Sequence, residues 1–240
     1  MRGAIVRSPD ERTGENTLPG SAMSTIQPDE IAVILKRHQA FLLGKPGGQR
    51  ANLTLRDLSG VRFGRVNLAS ANLSGAKLDG CNFVGANLSG SDLFGADLSK
   101  ADLRNANLSK SDLRGAQLYR ADLTGANLAS ADMRPGALMD AKSKLTKKQM
   151  TDEERMRAQM VAAEIGRTNM ASATLNAANM SSADMYKANL HEAKLANANL
   201  TSARLKDADI SSADLSGANF EGAELTGANL KGALMVGTNL

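Results

Sequence analysis

Ala86-Asn87-Leu88-Ser89-Gly90, Ser91-Asp92-Leu93-Phe94-Gly95, Ala96-Asp97-Leu98-Ser99-Lys100 and Ala101-Asp102-Leu103-Arg104-Asn105 follow one another without a break, and the rhythm continues through Ala126-Asn127-Leu128 to Ala131. Each unit is a small residue, then Asn or Asp, then Leu, then two variable positions. A period of five cannot keep one face of an α-helix apolar, and it is too short for any helical repeat unit. A β-solenoid is what remains.

The composition fits a core built by repetition. There is no Trp, aromatic residues make up 3% of the chain, and much of the 42% hydrophobic content is Ala and Leu. Large interlocking side chains are therefore not available to fill a conventional interior. The chain has 29 basic and 25 acidic residues, a net charge of +4. A balance this mild and this dispersed argues against a nucleic-acid partner. The single cysteine, Cys81, excludes an internal disulfide framework and fits a reducing compartment. No signal peptide or membrane-length apolar run is present, so a cytoplasmic protein is expected.

These units resemble the pentapeptide-repeat family, whose A(D/N)LXX pattern they match almost letter for letter over about two-thirds of the chain. The resemblance implies an all-β solenoid, a right-handed quadrilateral parallel β-helix with four pentapeptides per coil. It also implies a lead-in. Many bacterial members carry a helix with a His and an aromatic or Leu pair, then a Gly-rich link, then Arg-Ala-Asn-Leu; here these are His38, Phe41, Leu42, Gly47, Gly48 and Arg50 to Leu53.

The organisation expected along the chain follows. Residues 1–27 lack any sustained period and are expected to be a disordered leader, with Met23 an alternative start. Pro28 suits a first helical position and Asp29 and Glu30 suit the positive end of the helix dipole. Ile31, Ile34, Leu35, His38 and Leu42 then share one face, and Gly44 supplies a stop. Residues 28–50 are thus a capping helix and link, covering the apolar first coil. The first repeat block, 51–138, has its central residues from Leu53 to Met133, seventeen pentapeptides. Arg56, Val61 and Val66 replace Ala there and Phe63 replaces Leu, which predicts a distorted first coil. Residues 139–167 break the pattern: a basic linker from Lys142 to Lys148, then a helix announced by the capping-box spacings Thr146 with Gln149 and Thr151 with Glu154. The second block, 168–240, carries central residues from Met170 to Leu240, fifteen pentapeptides.

With four units per coil, residues twenty apart stack at roughly 4.8 Å. Sorted this way, Asn67, Asn87, Asn107 and Asn127 form a pure Asn column with only small or polar neighbours, apart from Lys110, and Asn179, Asn199, Asn219 and Asn239 form another. If the insertion consumes no side of the coil, the two Asn columns align in one solenoid of thirty-two units.

The chemistry-bearing residues are sparse. His38 and His191 have no Cys or acidic partners at metal-ligand spacing, Cys81 takes an Ala slot, and no base accompanies the serines, so no catalytic, cofactor or metal site is expected. Asp92, Asp112 and Asp132 stack and could hold a divalent cation, but Arg114 and Arg134 neutralise them more cheaply. The candidate partner surface comprises Phe94, Arg114, Arg134 and Tyr119 on the solenoid, with Lys147, Lys148 and Arg155 in the insertion; Tyr186 is a further exposed aromatic.

The expected function is a non-enzymatic scaffold that binds a protein partner through a solenoid wall or the helical insertion, with no small-molecule substrate, cofactor or membrane. A homodimer through the uncapped C-terminal coil is a further expectation. The resemblance also brings the family's best-known activity, binding DNA gyrase by mimicking DNA. That activity needs a strongly acidic surface, whereas segments 1–50, 51–138 and 139–167 each carry +2 and only 168–240 carries −2.

Overall fold

The computed structural model describes residues 28–134 and 168–240. Its one helix there, α1, spans Pro28–Leu42. Everything else described is a square solenoid in which each wall contributes one parallel-paired residue per coil, twenty residues from the next. Four columns define the walls, beginning at Asn52, Asp57, Arg62 and Asn67.

The pentapeptide pattern is explained by where its five N–H groups go. In the unit around Leu68, the Leu68 amide donates to the Asn87 carbonyl at 2.7 Å and the Ser70 amide to the Ser89 carbonyl at 2.8 Å, both on the next coil. The Ala71 amide closes the corner onto the Leu68 carbonyl at 3.0 Å, and the Asn72 amide reaches back to Ala51 at 2.9 Å. Only the Ala69 amide is left, and the Asn67 side-chain oxygen accepts it at 3.1 Å. Asn or Asp is therefore required as a turn acceptor, since an unpaired backbone donor is costly. Where Lys194 stands at that position, the orphaned Ala196 amide is taken by Asn176 of the preceding coil, at 3.1 Å.

The corner also needs positive φ at its last variable residue. Gly90 (φ 60) adopts this freely, but so do non-glycine residues such as Ser70 (φ 59) and Ala177 (φ 54). L side chains in this region cost roughly 1–2 kcal/mol each, so most corners hold mild strain that stacking outweighs. Inside, Leu and Ala are buried in four columns up to the last coil, where Ala223, Leu225, Ala228, Leu230 and Ala233 are half-buried. Phe63 and Phe83 stack at 4.8 Å between centroids, nearly parallel. The first coil is distorted as expected: at the Phe63 corner the positive φ falls on Gly64 instead of Arg65.

One expectation is overturned. The two described blocks form one ladder, but Asp122 pairs with Asn169, Asn127 with Thr174 and Asp132 with Asn179. Asn169 therefore stands on the Arg62 wall, two walls on from Asp132, and not on the Asp57 wall that adjoins it. The Asn column ending at Asn127 continues as Thr174, Lys194, Asp214 and Leu234, while the second Asn column extends the one containing Asp92, Asp112 and Asp132. The helix expected within 139–167, with its basic linker, and the leader 1–27 lie outside the described residues.

α1 closes the first coil. Ile31 and His38 are buried against it, with Ile34 and Leu35 half-buried. The Ala51 amide donates to His38 Nδ1 at 3.1 Å, which fixes the neutral tautomer with the proton on Nε2. Nε2 is buried and closes no hydrogen bond of ordinary geometry among the described residues, although the Ala69 carbonyl lies toward it. Burial holds the His38 pKa below its ordinary value, and nearby Arg50 reinforces this. The unfolded chain thus binds the proton more readily. Stability supplied by the neutral ring is complete above about pH 6.5, the unfolded value, and falls as pH drops below it toward the folded pKa. Thermal unfolding followed by helical ellipticity should therefore show acid sensitivity in this range that His38→Asn removes.

Candidate partner surface

Phe94, Arg114 and Arg134 occupy equivalent corner positions on three successive coils, on the edge between the Asn52 and Asp57 walls. The structure brings them together. The Arg114 guanidinium sits 5.5 Å from the Phe94 ring centroid, a cation–π contact that leaves Phe94 half-buried where exposure was expected. Arg114 also forks onto Asp112, with Nε–Oδ1 2.9 Å and Nη2–Oδ2 2.6 Å, and its Nε lies 3.7 Å from Asp132. Arg134 makes the same fork on Asp132, and Arg104 repeats it on Asp102 on the opposite wall. The Arg134 fork holds the Asp132 carboxyl below the usual range.

These bonds decide what the Asp column is for. Asp92, Asp112 and Asp132 accept the amides of Phe94, Arg114 and Arg134, the same turn role that Asn plays elsewhere. Two of the three carboxylates are further engaged by guanidinium forks. Among the described residues no group of three His, Cys, Asp or Glu side chains is placed to hold a metal ion.

Tyr119 is not part of this edge. It lies on the next one, between the Asp57 and Arg62 walls, with Arg120 at 5.1 Å from its ring. Tyr186 stands two coils further on the same edge, about 10 Å away by stacking distance, with Lys187 at 5.1 Å. Both rings are half-buried. The two edges bound the Asp57 wall. Lys147, Lys148 and Arg155 lie outside the described residues.

A constellation that the sequence did not reveal sits on the Arg62 wall. His191 Nδ1 lies 2.9 Å from Ser211 Oγ, twenty residues on, and His191 Nε2 lies 3.5 Å from Glu192. Ser211 nevertheless donates its hydroxyl proton to Asp209 at 2.6 Å. Ser216 and Thr201 do the same in their own units, so this is turn chemistry shared along the solenoid, not an activated nucleophile. The twenty-residue stacking rule was the signal that could have found it. Cys81 is buried, its thiol donating to the Leu58 carbonyl, and burial pushes its pKa up to about 12. Such a thiol is inert.

The family profile described as pentapeptide repeats matches residues 49–83, 71–109, 101–134, 163–201 and 203–240, eight copies that together cover more than half of the chain. The chain belongs to the pentapeptide-repeat family. Its fold is the right-handed β-helix of that family, with α1 as N-terminal cap. The pentapeptide match resumes at residue 163. Among solved structures, HetL from the cyanobacterium Nostoc sp. strain PCC 7120, a pentapeptide-repeat protein involved in heterocyst differentiation regulation, is 26% identical, covering 87% of this chain and 94% of HetL, with a TM-score of 0.34. Trypsin-treated QnrB1, a plasmid-mediated fluoroquinolone resistance protein, is 19% identical over 77% of this chain and 85% of its own, with a TM-score of 0.37. A pentapeptide-repeat protein from the Arabidopsis thaliana thylakoid lumen is 32% identical over 46% and 76%, with a TM-score of 0.26. No curated protein matches. Among the described residues no helix is long and apolar enough to cross a membrane.

Proposed function

We propose that this pentapeptide-repeat protein is a non-enzymatic scaffold whose partner is another protein, docking on the Phe94–Arg114–Arg134 edge and the insertion that follows it. The observation that carries this reading is the in-register edge itself. It presents one aromatic ring and two guanidinium groups on a rigid backbone, and leads directly into residues 135–167. Aromatic and arginine side chains are the types that dominate protein–protein hot spots. The turn-bound hydroxyls and carboxylates around it favour recognition over catalysis. The reduced state that suits Cys81 favours a cytoplasmic setting.

The test is an affinity pull-down with three baits: the intact chain, a chain lacking residues 141–166, and Phe94→Ala/Arg114→Ala. Loss of the same captured protein from both altered baits, with unchanged thermal stability, is expected. Unchanged capture by both would refute the reading. Because Arg114 and Asp112 are both partly exposed, loss of their ion pair should by itself cost less than about 1 kcal/mol of stability. Mimicry of DNA toward gyrase asks for an acidic stripe, and the guanidinium forks on Asp112 and Asp132 weigh against one. The homodimer is carried as part of this reading: Leu234, Met235, Val236 and Leu240 on the last coil are exposed. Light scattering that shows only monomer at high concentration would remove it.

A further inference from the structure

Asp92 departs from the rest of its own column. On the next two coils Asp112 and Asp132 each accept a guanidinium fork from the arginine two residues later, Arg114 and Arg134. At Asp92 that arginine is replaced by Phe94, which gives Oδ1 only its backbone amide, at 3.1 Å. Asp184 shows the second way in which the solenoid fills a turn carboxylate. It too is followed two residues on by an aromatic ring, Tyr186, and there Arg204 reaches it from the next coil, Nη1 to Oδ2 at 2.7 Å. The residue stacked on Asp92 from the next coil is Asp112, another carboxylate, and on the other side stands Asn72. Both internal sources of a guanidinium are missing, and Asp92 forms no ion pair among the described residues.

The surroundings suit the missing group. Arg114 covers one side of the Phe94 ring at 5.5 Å and acts on Asp92 only from beyond ion-pair distance. Toward the first coil the same corner holds Ser74 and Gly75, and the Leu55 side chain, 58% exposed, lies over Gly75. Leu55 and Phe94 therefore flank the Gly75 corner, about 10 Å apart by stacking distance. An arginine entering there lays its methylene stem against apolar side chains and sets its planar head on the open carboxylate. Arg114 already combines the same two contacts, on Phe94 and Asp112.

We infer that the partner docking on this edge is a protein segment that inserts an arginine at Asp92, beside Phe94. The inference rests on the edge being a docking surface, as proposed above, and names the chemistry it selects. Lysine brings a point charge that cannot fork, so arginine is preferred. A nucleic acid brings no cation to the carboxylate.

The experiment uses the full chain with isotope-labelled phenylalanine; it holds five, few enough for the ring signals to be assigned. The titrants are the peptide Gly-Ser-Arg-Ser-Gly and two counterparts with Lys or uncharged citrulline at the centre. The Phe94 signal should shift saturably with the Arg peptide, with a Kd on the order of 1 mM, and the Lys peptide should bind at least about threefold more weakly. Citrulline should give no saturable shift. Asp92→Asn keeps the turn acceptor, as Asn72 does in the same column, and should weaken the Arg peptide at least about fivefold at unchanged melting temperature. Absence of a saturable Phe94 shift up to about 20 mM peptide, equal affinity for the three peptides, or unchanged affinity in Asp92→Asn would overturn the inference. A pull-down with Asp92→Asn as bait separates it from the reading beneath it. Loss of the captured protein from Asp92→Asn as well as from Phe94→Ala/Arg114→Ala is expected. Loss from the double variant alone leaves the edge as a docking surface and removes the arginine; capture by both removes the edge itself.

Discussion

Gly48→Ala is expected to undock α1 from the solenoid. The link from helix to first coil folds back so tightly that a Cβ on Gly48 would lie 2.6 Å from both the Ala40 carbonyl carbon and the Phe41 Cα, and press on the Phe41 amide nitrogen as well. These are backbone atoms inside or next to a helical turn and have no rotamer to escape through. The Lys45 amide bonds to the Ala40 carbonyl at 2.9 Å and the Gln49 amide to the Arg37 carbonyl at 3.0 Å, so the return path is held on both sides of Gly48. Relief requires moving the helix, which breaks these bonds and the Ala51 amide's contact with His38. Overpacking of this kind costs about 3 kcal/mol or more. The expected result is loss of most helical ellipticity and rapid proteolysis near residue 43, while the repeat core persists. Retained ellipticity would show that the link has a second conformation.

Leu123→Ala has the other large effect and tests the register across the insertion. Leu123 is fully buried, and its amide donates to the Asn169 carbonyl at 2.7 Å, which stacks it on Met170. Truncating a fully buried Leu costs about 2–5 kcal/mol; the upper part of that range is expected, since a rigid square coil cannot collapse into the gap. If the insertion used no side, Leu123 would instead stack on Leu175. A double-mutant cycle by urea unfolding distinguishes the two. Coupling between Leu123→Ala and Met170→Ala should exceed about 0.5 kcal/mol, and that between Leu123→Ala and Leu175→Ala should be smaller. The reverse order would restore alignment of the two Asn columns.

Such a short period made the repeat core legible. Every Leu in the stretch from Ala86 to Ala131 faces inward because each unit makes the same hydrogen bonds. The cap face of α1 was equally legible from Ile31, Ile34, Leu35 and His38. Phe94, by contrast, was expected to be exposed and is half-covered, because side-chain reach between coils decides who covers whom. The His191–Ser211 contact escaped for the same reason: the partners are twenty residues apart and neither departs from its own unit's pattern.

The amino-acid sequence by itself determined the coil, the four columns on either side of the break and the helix that closes the first turn, since all of these are fixed by bonds whose spacing in the chain is constant. Only the tertiary structure decided how the two blocks join. Counting residues cannot tell whether a segment between Met133 and Met170 adds a side to the square. Pairing of Asp132 with Asn179 can, because a parallel ladder admits one register and burying the Leu and Met columns enforces it.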